Sequence, residues 1–149
     1  MKQDNLIPSE EISHYIMLIR GHRVILDHDL ARLFGVPTKR LNEQIKRNSR
    51  RFPVDFMFRL TEAEKAEVVA NCDHLKKLKF SRELPRAFTE HGTVMAANII
   101  NSQKAIDASI YVTRTFVRLR EALSTQKEFA RKLIELEAKL KNHDENIQS

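Results

Sequence analysis

The sequence predicts an α+β fold: a small helix-turn-helix-like domain with short antiparallel strands, followed by a long C-terminal helix with coiled-coil character. Three observations predict it. In YIMLIRGHRVILD, two β-branched apolar runs flank Gly21-His22, the pattern of a hairpin. In LARLFGVPTKRLNEQIKR, two short stretches of helical apolar spacing flank Gly35 and Pro37. From Ser102 onward the chain has neither Gly nor Pro, and its apolar residues recur at steps of three and four.

The elements follow in order. Residues 1–13 are polar and acidic and read as a flexible arm. The first β-branched run predicts a strand over Ile16–Ile19, although Ile12, Ile16 and Ile19 also fit one face of a helix. The second predicts a strand over Val24–Leu26. Asp27 is placed as an N-cap, and DLARLF forms a short helix closed by Gly35. A second helix runs from Thr38 to Arg50, and Pro53 stops it. DFMFRL alternates as a strand does. In Thr61-Glu62-Ala63-Glu64 the Thr61 hydroxyl and Glu64 carboxylate have the spacing of a capping box, opening a helix to Asn71. HLKKLKFSRELPR is a basic, irregular connection. Thr89 caps the next helix, which ends at Asn101. In the last helix Val112, Phe116, Leu119 and Leu123 are set to pack on the domain, which is bounded at 14–123. Phe129, Leu133, Leu136 and Leu140 have no evident partner within the chain. The segment 124–149 is therefore expected to oligomerise, most simply as a homodimer, parallel or antiparallel.

Charge narrows the function. The chain of 149 residues carries a formal +6. Between Leu30 and Leu60 there are eight basic side chains and two acidic ones, so this short region holds an excess equal to the whole chain's. A local excess of that kind points to a polyanionic partner. The single cysteine, Cys72, excludes an internal disulfide and suits a reducing cytoplasm. The N-terminus has no apolar signal core, and no run reaches the ~20 apolar residues of a membrane span.

The helix pair has the parts a helix-turn-helix needs. Leu30 and Phe34 point inward, Ala31 permits close crossing, Gly35 makes the turn, Val36 plugs the corner, and Leu41 and Ile45 seat the second helix. That seating sends Lys39, Asn42, Glu43, Lys46 and Arg50 outward or to the flank, with Arg40, Gln44 and Arg47 on the borders. Arg and Lys bridge phosphates or read guanine, while Asn and Gln pair with adenine. The bland alternative is a helical hairpin with a solvated basic face.

Five motifs decide between them: IRG, LD-x-DLA, TKRLNEQ-x-KRN, RFP-x-DFMF and AFTEHG. With the block LPRAFTEHGTVMAANIINSQKAIDASIYVTRTFVRLRE they extend over Ile19 to Glu121. This combination resembles the ORF-six N-terminal domain, a KilA-N-like domain of phages, prophages and large DNA viruses. The resemblance implies a sequence-specific double-stranded DNA-binding protein, a phage-type transcription regulator or antirepressor. It implies Lys39, Arg40, Asn42, Gln44, Lys46 and Arg47 as the DNA-facing set, with Arg50 and Arg51 beside them. One departure stands out. Family members commonly carry a Gly- and Arg-rich loop with an aromatic before AFTE, whereas this chain has KKLKFSRELPR. Lys76, Lys77, Lys79, Arg82 and Arg86 are the residues there that can still meet phosphates.

Other constellations carry less. Asp27, His28 and Asp29 suit an acidic first turn better than a metal-dependent nuclease. Glu90 and His91 are adjacent on a helix, so they point about 100° apart. Cys72 with His74 is half of a zinc site. No enzyme activity, cofactor or metal is expected. The rival reading is a protein-interaction module, an antirepressor capturing a partner protein through the long C-terminal helix.

Overall fold

The computed structural model describes the backbone of residues 9–148 and the side chains of residues 11–144. Helix α1 (Ser9–Tyr15) leads directly into a hairpin of β1 (Ile16–Ile19) and β2 (His22–Leu26). Two short helices follow, α2 (Asp27–Phe34) and α3 (Thr38–Arg47), then a 3-10 turn, Ser49–Arg51. Next come β3 (Met57–Arg59), α4 (Glu62–Asn71), a 3-10 segment over Asp73–Phe80, β4 (Arg86–Phe88), α5 (Glu90–Ile100) and α6 (Gln103–Gln148). The α+β class and the long final helix are as the sequence predicts.

Several expectations are corrected. The arm expected over residues 1–13 is helical from Ser9, and Ile12 is buried; residues 1–8 lie outside the described residues. The hairpin turns at Arg20-Gly21, because Ile19 pairs with His22. Both turn residues have positive φ, 55° and 77°, as a two-residue turn matched to strand twist requires. Arg20 pays for the left-handed conformation with its side chain. Its guanidinium donates to both Glu64 oxygens at 2.7 Å and to the Arg59 carbonyl at 3.1 Å, and lies 4.4 Å over the Phe58 ring. The second helix ends at Arg47, so Arg50 and Arg51 sit on the 3-10 turn beyond it. KKLKF is a 3-10 segment, and Arg86 lies in strand β4.

The four strands form one antiparallel sheet in the order β1-β2-β4-β3. Alternation sends Val24, Leu26, Phe58 and Ala87 to one face, where Val68 of α4 and Leu75 close the core. Ile16, Ile25 and Phe88 occupy the other face, against which α2 and α5 pack. Phe52 meets Phe88 edge-on at 6.1 Å. The capping box forms as its spacing implies: Glu64 N–H donates to Thr61 Oγ1, and Thr61 N–H donates to Glu64 Oε1.

The chain divides into two units, residues 1–116 and 117–149. Within the first, Ser102 Oγ accepts the Ala105 N–H at the start of α6, and Ala105, Ala108, Val112 and Phe116 are buried. The second is helical throughout its described residues, and every described side chain from Arg120 to Asp144 is exposed.

Candidate nucleic-acid interface

The turn between α2 and α3 is built as the sequence implies. Gly35 takes φ 71°, and its N–H meets the Ala31 and Arg32 carbonyls. Val36 N–H donates to the Ala31 carbonyl at 3.0 Å. Leu30, Phe34, Leu41 and Ile45 are sealed inside. At 100° per residue this seating leaves one outward arc on α3. The exposed residues are Lys39, Arg40, Glu43, Lys46 and Arg47, with Gln44 half-buried at the margin. Glu43 is at the centre of the arc, with Lys39 and Lys46 on one side and Arg40 and Arg47 on the other. Arg50 and Arg51 extend the exposed positive surface past the helix end.

Asn42 is not part of that arc. It was expected to face outward, but it is only 8% exposed, and its Nδ2 donates to Asp27 Oδ2 at 3.1 Å. Its Oδ1 is buried without a partner. The reason lies in Asp27, which is not the N-cap of α2 either: that position is Leu26, and Asp27 is the first helical residue, 5% exposed. Asp27 Oδ1 accepts its neighbour His28 N–H at 2.8 Å, and Oδ2 accepts both Asn42 Nδ2 and the Arg86 N–H, the latter at 3.3 Å. One carboxylate thus joins α2, α3 and β4. Burial pushes its pKa up, and these three donors together with the Arg86 charge oppose that shift.

Arg86 is the second displaced residue. It is 5% exposed within a buried strand, with Nη1 unpartnered. Burial pushes its pKa down, and the neighbouring Arg59 adds to that. It is in no position to meet a phosphate. Lys76, Lys77, Lys79 and Arg82 are exposed as expected. Lys76 pairs with Asp73 at 3.6 Å, and Lys79 lies 4.8 Å over the Phe80 ring. A cleft of about 470 Å³ runs between α3 and the segment that follows these lysines. Lys39, Asn42 and Lys46 line one wall, and Leu78, Ser81 and Leu84 the other.

That segment is held from two sides. The Lys65 ammonium donates to the Ser81 carbonyl. His74 Nε2 lies 3.1 Å from Oδ2 of the buried Asp29, with the Tyr15 ring 5.3 Å from the imidazole. The acidic first turn of α2 is therefore structural wiring. Cys72, half-buried, has its thiol pushed up by burial and by the charges of Asp29 and Asp73. Among the described residues, no three metal-ligating side chains cluster.

Glu43, which helix geometry already sends outward, sits exposed within the cationic arc although the expected DNA-facing set does not include it. The signal was available: it lies three or four residues, about one helical turn, from each of Lys39, Arg40, Lys46 and Arg47, and an acid among those cations is conspicuous. AFTEHG, by contrast, is architectural. The Thr89 hydroxyl caps α5 through the Gly92 N–H and reaches the Asp55 and Phe56 carbonyls at 2.8 and 3.2 Å. His91 stacks on Phe56.

No helix among the described residues is long and apolar enough to cross a membrane. Searches of curated proteins and of solved structures find no match to this chain. A family model for the ORF6N domain matches residues 14–99, which runs from α1 nearly to the end of α5 and takes in the sheet, the α2–α3 pair and the basic segment. The chain belongs to the ORF6N domain family, and that membership suggests a regulatory domain of phage type.

Proposed function

We propose that this chain binds double-stranded DNA in a sequence-dependent way, as a phage-type transcription regulator or antirepressor acting in the cytoplasm by binding and not by catalysis. The observation that carries the reading is the exposed cationic arc of α3, raised on a sealed apolar underside. Arg40, Arg47, Lys39 and Lys46 meet phosphates and guanine edges. Arg50 and Arg51 continue along the backbone, and Gln44 is the amide left free to read adenine. Lys76, Lys77, Lys79 and Arg82 add phosphate contacts from the basic segment. The segment 124–149 joins two copies, so two α3 helices address an inverted repeat.

The test is selection of bound fragments from a random DNA pool at stated salt, followed by titration of the selected site. With about six phosphates neutralised, affinity falls roughly a thousandfold between 50 and 200 mM salt. Arg40→Ala with Arg47→Ala abolishes selection while the fold is retained. An unenriched pool, or salt-independent binding, overturns the reading.

A second reading rests on the exposed apolar residues of α6. In it, the helix captures a different protein and the DNA arc is incidental. Deleting the residues after Ser124 separates the two. Retained DNA binding with loss of the dimer supports the first. No DNA binding by either form, with a protein partner lost on deletion, supports the second.

A further inference from the structure

The apolar residues of α6 do not form one stripe. Val112 and Phe116 are buried in the first unit, and Leu119 and Leu123 continue their phase. In that phase the next positions are Gln126 and Ala130. The stripe restarts instead at Phe129 and runs through Leu133, Leu136 and Leu140, three residues out of step. These four side chains are 64, 44, 55 and 63% exposed. In the new phase Gln126, Leu133 and Leu140 take the a positions of a heptad, and Phe129, Leu136 and His143 the d positions. Lys132 and Lys139 then fall at g, and Glu137 and Asp144 at e. All four charged side chains are exposed.

We propose that this stripe is the seam of a parallel, in-register coiled coil between two copies of the chain, its direction set by Lys132, Glu137, Lys139 and Asp144. The inference rests on the reading of this helix as a dimer element and adds its direction. In a parallel pair each g residue faces the e residue five positions on in the partner. Lys132 meets a second copy's Glu137, and Lys139 its Asp144, giving four attractive contacts across the symmetric pair. In an antiparallel pair g faces g and e faces e, so lysines oppose lysines and acids oppose acids. Lys132 already reaches Glu128 on its own helix at 3.8 Å. That exposed contact is worth little and does not hold Lys132 from a second copy. A parallel coil brings the two ORF6N domains to the same end, the arrangement a compact inverted repeat needs.

Cross-linking tests the direction without DNA, so failure here is distinguishable from failure of DNA binding. In the full chain carrying Cys72→Ser, Gln126→Cys and His143→Cys are made separately; both occupy polar seam positions, so no apolar contact is lost. Each variant alone forms a disulfide-linked dimer on mild oxidation if the coil is parallel. Cross-linking only when the two variants are mixed shows an antiparallel pair and overturns the proposal. A monomer by sedimentation at tens of micromolar overturns it too. Lys132→Glu with Lys139→Glu gives the independent readout. Four attractions become four repulsions, and the dimer dissociation constant rises about tenfold with helicity unchanged. Mixing that chain with one carrying Glu137→Lys and Asp144→Lys restores pairing as a heterodimer. Unchanged dimerisation of the Lys132→Glu, Lys139→Glu chain overturns the charge-set direction.

Discussion

Replacing Asn42 with Ala asks whether this residue reads DNA or braces the helix proposed to do so. Its amide nitrogen donates at 3.1 Å to Asp27 Oδ2 and is shielded from solvent. Losing a hydrogen bond to a buried carboxylate costs about 1.5–3 kcal/mol. Removing the unpartnered Oδ1 returns part of that, since an unsatisfied buried acceptor is itself unfavourable. Asp27 retains the His28 and Arg86 N–H groups, so its charge is not abandoned. The net loss is about 1–2 kcal/mol, or about 4–8 °C in Tm. Asp27→Asn is the harsher companion. Donors approach both carboxylate oxygens, and an amide has only one oxygen to offer them. The assays are thermal unfolding and fragment selection on the same Asn42→Ala protein. The expected result is a lower Tm with the selected sequence unchanged, and any affinity loss equal across sequences. An unchanged Tm with a relaxed base preference refutes the bracing argument and returns Asn42 to the interface.

Three further outcomes follow from the geometry. Glu43→Gln removes the one negative charge at the centre of the α3 arc and raises affinity for all duplexes by about 1 kcal/mol, roughly fivefold, in a salt titration; unchanged affinity means that this arc does not face the phosphates. Gly92→Ala places a Cβ 1.9 Å from the Phe56 carbonyl oxygen, a backbone atom, so denaturant unfolding shows a loss of about 2–4 kcal/mol; a loss under about 0.5 kcal/mol shows that the loop shifts freely. The Arg20 hydrogen bond, helped by the Thr61 N–H, holds Glu64 at a pKa of about 2, below its ordinary 4.5. A depressed folded pKa adds stability that is fully present above about pH 5 and is lost as pH falls through 4.5 toward 2. The stability gap between the native chain and Arg20→Ala is therefore flat above pH 5 and closes on acidification, as read by urea titration; a gap that widens in acid contradicts it.

What the sequence made legible was local. The Thr61–Glu64 box spans three residues, Gly35 closes α2 by its own left-handed backbone, and Leu41 and Ile45 repeat at one helical turn. What it concealed was non-local. Asp27 looks like a cap because the Arg86 N–H that helps bury it comes from 59 residues away. Arg86 looks solvent-facing because it is charged, yet it lies buried in the inner strand β4, its register partner Arg59 in β3 and its N–H on Asp27. Asn42 lies only about 100° from Leu41 on α3, close enough to the apolar face for one buried carboxylate to draw it in. Arg20 and Gly21 share the turn only because Ile19 and His22 pair, which the β-branched runs alone leave undecided.

On the proposed reading, the side chains that would meet a duplex are the long, exposed cations of α3, each adding affinity and little direction. Base choice would then depend on how rigidly α3 is presented, and Asp27, whose carboxylate contacts α2, α3 and β4 at once, braces that helix. A buried carboxylate with three N–H donors tolerates little displacement, because moving α3 by an ångström breaks a hydrogen bond that water cannot replace. On that reading Asp27 and Asn42 would act on specificity without touching a base, by setting the angle at which α3 presents Arg40, Gln44 and Arg47.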